Sequence, residues 1–143
     1  MARHMEKTIA TVCKEYEISD LYVFGSRADE IARMIRSESL LPSKSEADVD
    51  IGLLPEKAAP WSPEKRVRFT LTLEDLFRAN RVDLVLLPEA DPFLALDVIR
   101  GELLYAKDLD QQARYELFVL RRAADLLPFK QERTRMILEE GAR

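Results

Sequence analysis

The chain has 143 residues, enough for one ordinary domain whose core needs no disulfide or metal staple. With 47% hydrophobic and 34% charged residues, no apolar run of membrane-spanning length and a charged amino terminus, MARHMEKTIA, it reads as a globular cytoplasmic protein without a membrane association. The net charge of −4 disfavours broad binding to a nucleic-acid backbone, and a lone Cys13 excludes an internal disulfide and a Cys/His zinc site.

From the amino terminus, Ile9, Val12, Cys13 and Tyr16 recur at i, i+3, i+4 and i+7, which predicts an amphipathic helix over Glu6 to Tyr16 with Cys13 as a small buried residue. Ile18-Ser19-Asp20 punctuates the chain before a strand, Leu21 to Phe24. A turn at Gly25-Ser26 follows, then a helix over Ala28 to Leu41 carrying Ile31, Met34 and Ile35, with Ser26 placed as its N-cap. Pro42 to Glu46 is a polar connector. The next strand, 47 to 54, alternates Asp48 and Asp50 with Val49, Ile51 and Leu53, so the two carboxylates share one face and the apolar side chains the other. The two strands can be antiparallel within a mixed sheet, since connection length alone does not set direction.

Ser62-Pro63 is an N-cap followed by proline at the first helical position, and the helix it opens presents Phe69, Leu73, Leu76 and Phe77 before stopping near Asn80. A third strand, Arg81 to Leu87, is apolar apart from Arg81 and Asp83. Burying an isolated carboxylate there needs a partner, a metal or an edge position that faces water. Asp91-Pro92 opens a short helix with Phe93, Leu96, Val98 and Ile99 inward, closed at Arg100-Gly101 by a glycine C-cap. Leu103 to Tyr105 is an edge strand. The longest helix, Leu109 to Leu127, places Ala113, Leu117, Leu120, Ala124 and Leu127 on one stripe broadened by Phe118; Pro128 kinks or ends it, and Phe129 to Glu140 is a further helical piece. The organisation expected is a single domain, 1–143, with a core at about 5–108 and a helical segment at 109–140; from Gln111 to Arg143 seven basic residues stand against five acidic ones, a mildly basic tail.

Two acidic side chains with no basic partner repel each other, and a divalent cation between them relieves the repulsion. Asp48 and Asp50, joined by Asp83 on a neighbouring strand, match a two-metal phosphoryl-transfer site, in which ions about 3.5–4 Å apart serve the attacking and leaving oxygens. A glycine-serine turn opening a helix beside the acids offers backbone N–H groups and a hydroxyl to phosphate. Arg27, next in sequence, suits either a triphosphate or an ion pair with Asp29 or Glu30.

GSRA, then ADVDI, then RVDLV, in this order and with these flanking elements, resembles the nucleotidyltransferase superfamily that includes DNA polymerase beta. In its small size the chain is most similar to the minimal nucleotidyltransferases (MNT), the antitoxins paired with HEPN toxins. The resemblance implies an α/β (α+β) fold, a small mixed sheet flanked by helices with further helices at the carboxyl end. It implies that Gly25 and Ser26, with Arg27 beside them, bind the terminal phosphates of ATP, that Asp48 and Asp50 ligate Mg²⁺, two ions in all, and that Asp83 completes the metal site and helps deprotonate the acceptor. Two departures stand out: twenty-one residues, Arg27 to Ala47, separate Ser26 from Asp48, and Asp29, Glu30 and Ala47 stand in the neighbourhood where the family often has a glycine after the turn segment and a serine before the first aspartate.

The function this implies is an antitoxin that transfers AMP from ATP to a tyrosine hydroxyl of a partner HEPN ribonuclease toxin. The alternatives are an antitoxin that acts by complex formation alone, through the apolar stripes of its carboxyl-terminal helices, and transfer to a small molecule. RNA as acceptor is disfavoured by the acidic body of the chain. Homo- or hetero-oligomers are compatible with all three.

Overall fold

A computed structural model of the protein describes residues 2–37 and 48–141. In chain order the elements are α1 (Ala2–Glu15), β1 (Ile18–Phe24), α2 (Ala28–Ser37), β2 (Val49–Pro55), α3 (Pro63–Phe77), β3 (Val82–Leu86), a 3-10 turn at Leu87–Glu89, α4 (Pro92–Ile99), β4 (Glu102–Ala106) and α5 (Leu109–Gly141). The four strands form one sheet in the order β3-β2-β1-β4. β1 is antiparallel to both of its neighbours, whereas β2 and β3 run parallel. This is the small mixed sheet flanked by helices that the sequence predicts. The expected connector Pro42 to Glu46, the end of the predicted helix at 38–41 and Ala47 lie outside the described residues.

Helices pack on the sheet from both sides, so its two central strands, β1 and β2, are largely buried. Alternation sends Leu21 and Val23 of β1, and Val49, Ile51 and Leu53 of β2, to one face, where they pack with Ile9 and Cys13 of α1, Ile31 and Ile35 of α2, and Phe69, Leu73 and Phe77 of α3. The surroundings of Cys13 push its thiol up to about 12 through burial, as expected of a core residue. On the opposite face Tyr22 packs with Leu87, Ala95 and Val98 around α4 and with Val119 of α5. Ser62 caps α3, accepting from the Lys65 N–H at 3.1 Å, and Asp91 caps α4, accepting from the Phe93 and Leu94 N–H groups. Each such cap is worth about 1 kcal/mol.

Several expectations are corrected. Ile18-Ser19-Asp20 does not punctuate the chain but begins β1: Ile18 pairs with Pro55, and Asp20 with Leu54 on one side and Ala106 on the other. Pairing on both sides overrides the turn preference of Ser and Asp. The break falls instead at Glu17, in the left-handed region at φ 55. Ser26 lies one position outside the capping site, since Arg27 directly precedes α2 and its carbonyl accepts from the Ile31 N–H. Gly101 is no left-handed cap: Arg100 ends α4 at φ −78, and glycine is needed at 101 because a Cβ would overlap the Val23 carbonyl and Phe24.

The largest correction concerns α5. It runs unbroken through Pro128. Its buried stripe is Gln112, Val119 and Ala123, set off by one position from the predicted one, and Ala113, Leu117, Leu120, Ala124 and Leu127 are exposed. The reason is polar. Gln112 donates from Nε2 to the Tyr22 hydroxyl at 2.8 Å and to Glu116 Oε1 at 2.6 Å, while the Tyr22 hydroxyl donates to Glu116 at 3.0 Å. Satisfying that network turns the polar side chains of α5 toward the sheet and its leucines outward.

Candidate active site

The acidic residues meet because of strand register. Parallel pairing of β2 with β3 sets Asp50 opposite Asp83, and antiparallel pairing of β1 with β2 sets Phe24, the last residue of β1, opposite Asp50. Gly25 follows at once in the left-handed region, φ 78, where glycine carries no steric penalty. Its backbone lies so close to Asp50 that a Cβ there would overlap the Asp50 carboxylate. The exposed Gly25-Ser26 turn therefore abuts the Asp50 carboxylate, although the two are far apart in sequence.

Asp48 stands just before β2, and its side chain and that of Asp83 are 39% and 41% exposed, open enough to meet a ligand. Asp50 is more enclosed. Burial first, and then the neighbouring carboxylates of Asp83 and Asp48, raise its carboxyl above the ordinary value. Three acids repelling one another beside an open glycine turn are a donor set suited to a hard divalent cation, which takes oxygen ligands. Among the described residues no three such side chains yet surround a point where an ion could sit. Arg81 engages two of them instead: its Nε is 3.0 Å from Asp83 Oδ1 and 3.8 Å from Asp48 Oδ2.

Arg27 is turned inward. Its side chain is 4% exposed and pairs with Glu30, Nε to Oε2 at 3.1 Å and Nη2 to Oε1 at 3.3 Å. The ion pair with Glu30 that the sequence allows is formed, and Asp29 pairs with Arg33 at 3.1 Å. Neutralised in this way, the two acids at the start of α2 repel an anion at the turn less than their sequence position suggests. Gly52, two residues beyond Asp50 on the same face, leaves room for Val98, and this contact presses α4 onto the sheet next to the acidic end.

Arg81, the counter-ion of two of the acids, is not among the site residues predicted from the sequence. Its signal was present: Arg81 and Asp83 are two apart at the start of a strand, on one face. The contact of Gly25 with Asp50 had no such signal, because it depends on the pairing of β1 with β2.

Among curated proteins none matches the chain significantly. Among solved structures, a toxin-antitoxin structure with AMP-PNP superposes with a TM-score of 0.64 at 21% identity, covering 94% of this chain and 96% of the other. A tri-AMPylated Shewanella oneidensis HEPN toxin in complex with MNT antitoxin superposes with a TM-score of 0.62 at 21% identity, covering 97% and 98%. The toxin-antitoxin MntA-HepT gives 0.61 at 20% identity over 96% and 97%. At such identities the likeness concerns the fold. The family model "Polymerase beta, Nucleotidyltransferase" matches residues 6–110, a span that holds the glycine turn and all three aspartates, and the chain therefore belongs to the polymerase beta nucleotidyltransferase family.

Proposed function

We propose that this protein is an antitoxin of the MNT type that transfers AMP from ATP to a tyrosine hydroxyl of a partner HEPN-family toxin and thereby silences it. The observation that carries the proposal is Asp50 in register beside Asp83 and against Gly25, with Asp48 and Asp83 sharing Arg81. Family membership and the AMPylated toxin found in a structure of the same fold support it.

In this reaction the acceptor oxygen bonds to the α-phosphorus of ATP, the bond to the pyrophosphate leaving group breaks, and the hydroxyl proton is lost. Gly25 and Ser26 would present N–H groups and a hydroxyl to the outer phosphates. Asp48 and Asp50 would hold Mg²⁺, with Asp83 completing the second of two sites. The bound ions supply charge neutralisation on the phosphates and a lowered pKa at the attacking oxygen. Asp83, half-exposed at the edge of the sheet, would receive the proton of an incoming hydroxyl. Arg27, held by Glu30, would support the start of α2 rather than touch the nucleotide.

The test is intact mass spectrometry of the cognate toxin after incubation with the protein, Mg²⁺ and ATP. A gain of one or more adenylates is expected, and none with the Asp48→Ala/Asp50→Ala variant. A toxin of unchanged mass in the presence of the native protein refutes transfer.

One feature favours neutralisation by binding as a second possibility. The outer face of α5 exposes Leu117, Phe118, Leu120 and Leu127, and a groove of about 430 Å³ between α4 and α5 is lined by Phe93, Leu96, Leu120 and Leu127 among others. Contiguous apolar surface of this kind marks interaction sites. If the double aspartate variant still protects cells that express the toxin, complex formation suffices.

A further inference from the structure

We infer that Arg81 is an internal counter-ion that occupies the acidic site until a divalent cation arrives, making cation binding depend on the nucleotide. The inference rests on the metal-dependent transfer proposed above. Its observation is a single guanidinium shared by two of the three acids, Nε being 3.0 Å from Asp83 and 3.8 Å from Asp48.

The main chain of Arg81 is fixed, because its carbonyl accepts from the Val49 N–H at 3.0 Å, directly between Asp48 and Asp50. Its side chain is 69% exposed and so has room to swing. An exposed pair of this kind is weak and can be displaced. A divalent cation placed among the same carboxylates would meet the guanidinium charge at close range, so the two compete for Asp48 and Asp83. A triphosphate changes the balance. It offers the guanidinium phosphate oxygens, which Arg binds at least as well as carboxylates, while the cation takes the acids. Free cation is therefore held weakly and cation with nucleotide strongly.

The experiment measures Mn²⁺ binding by calorimetry and by the electron paramagnetic resonance of free Mn²⁺, with and without AMP-PNP, so that no turnover is involved. Arg81→Ala is expected to bind Mn²⁺ alone roughly three- to tenfold more tightly than the native protein, as one positive charge leaves the site. It should also gain less from AMP-PNP than the native protein does. Arg81→Lys, which keeps the charge, should stay within about twofold of native for Mn²⁺ alone. Unchanged or weaker Mn²⁺ binding by Arg81→Ala overturns the role of Arg81 and leaves the transfer reaction standing. Absence of Mn²⁺ binding to the native protein with AMP-PNP overturns both.

Discussion

Replacing Asp20 by Asn should make the protein's stability less dependent on pH. Asp20 lies in β1 at 1% exposure, and neither carboxylate oxygen has a hydrogen-bond partner among the described residues. Burial first, and then the charge of Glu116 on α5, raise its carboxyl from the ordinary 3.8 to about 6. The other titratable groups on its face of the sheet are Tyr22 on its own strand and Tyr115 of α5, and each has its phenol raised in turn, mainly by burial.

Because the folded-state value lies above the unfolded one, the folded protein holds this proton more tightly. Stability associated with Asp20 is fully present below about pH 4 and is lost as pH rises through about 6. A shift of about two units corresponds to roughly 3 kcal/mol above that window. An Asn amide keeps the shape and leaves a polar group unpaired at every pH, a penalty of roughly 1–3 kcal/mol that does not vary with pH. The stability difference between Asp20→Asn and native should therefore move in favour of the variant by roughly 2–3 kcal/mol between pH 4 and pH 7.5, whatever its value at pH 4. Urea denaturation of both proteins across that range measures it. A difference that is flat with pH would show that Asp20 is charged or solvated in the folded protein and would refute the reasoning.

Two further outcomes follow from the site and the surface. Gly25→Ala forces a side chain into the left-handed region and onto the Asp50 carboxylate; it should cost roughly 1–3 kcal/mol by chemical denaturation and abolish adenylate transfer, and the stability cost should be smaller in an Asp50→Ala background, where the overlap is relieved. Leu120→Glu changes an exposed position on α5, 45% accessible; it should alter stability by no more than about 0.5 kcal/mol yet weaken capture of the cognate toxin by roughly tenfold or more in a surface-binding assay.

Much of the architecture was written locally in the chain. Ser62-Pro63 and Asp91-Pro92 cap their helices by chemistry confined to a few neighbouring residues, so both starts are legible in the sequence. The alternation of Asp48, Val49, Asp50, Ile51 and Leu53 determined which side chains reach the core and which do not, because a strand repeats every two residues whatever it pairs with. The ordered glycine turn and aspartates likewise point to the family without any knowledge of contacts.

What local pattern could not decide were matters of pairing and partnership. Ser19 and Asp20 resemble a turn until two neighbouring strands claim them. Leu117, Leu120 and Leu127 resemble a core stripe, yet Gln112 and Glu116 bond to Tyr22 some ninety residues away and rotate α5 by one position. An apolar stripe records that a helix face must be covered, but not whether its own sheet or another molecule covers it. The same holds at the candidate site. The sequence determined that three aspartates and a glycine turn exist, and only the tertiary structure decided that Gly25 touches Asp50, that Asp83 stands in register beside it, and that Arg81 bridges the outer two acids. Register and strand order are set by the packing of the whole sheet, and a charge finds its counter-ion only once that packing exists.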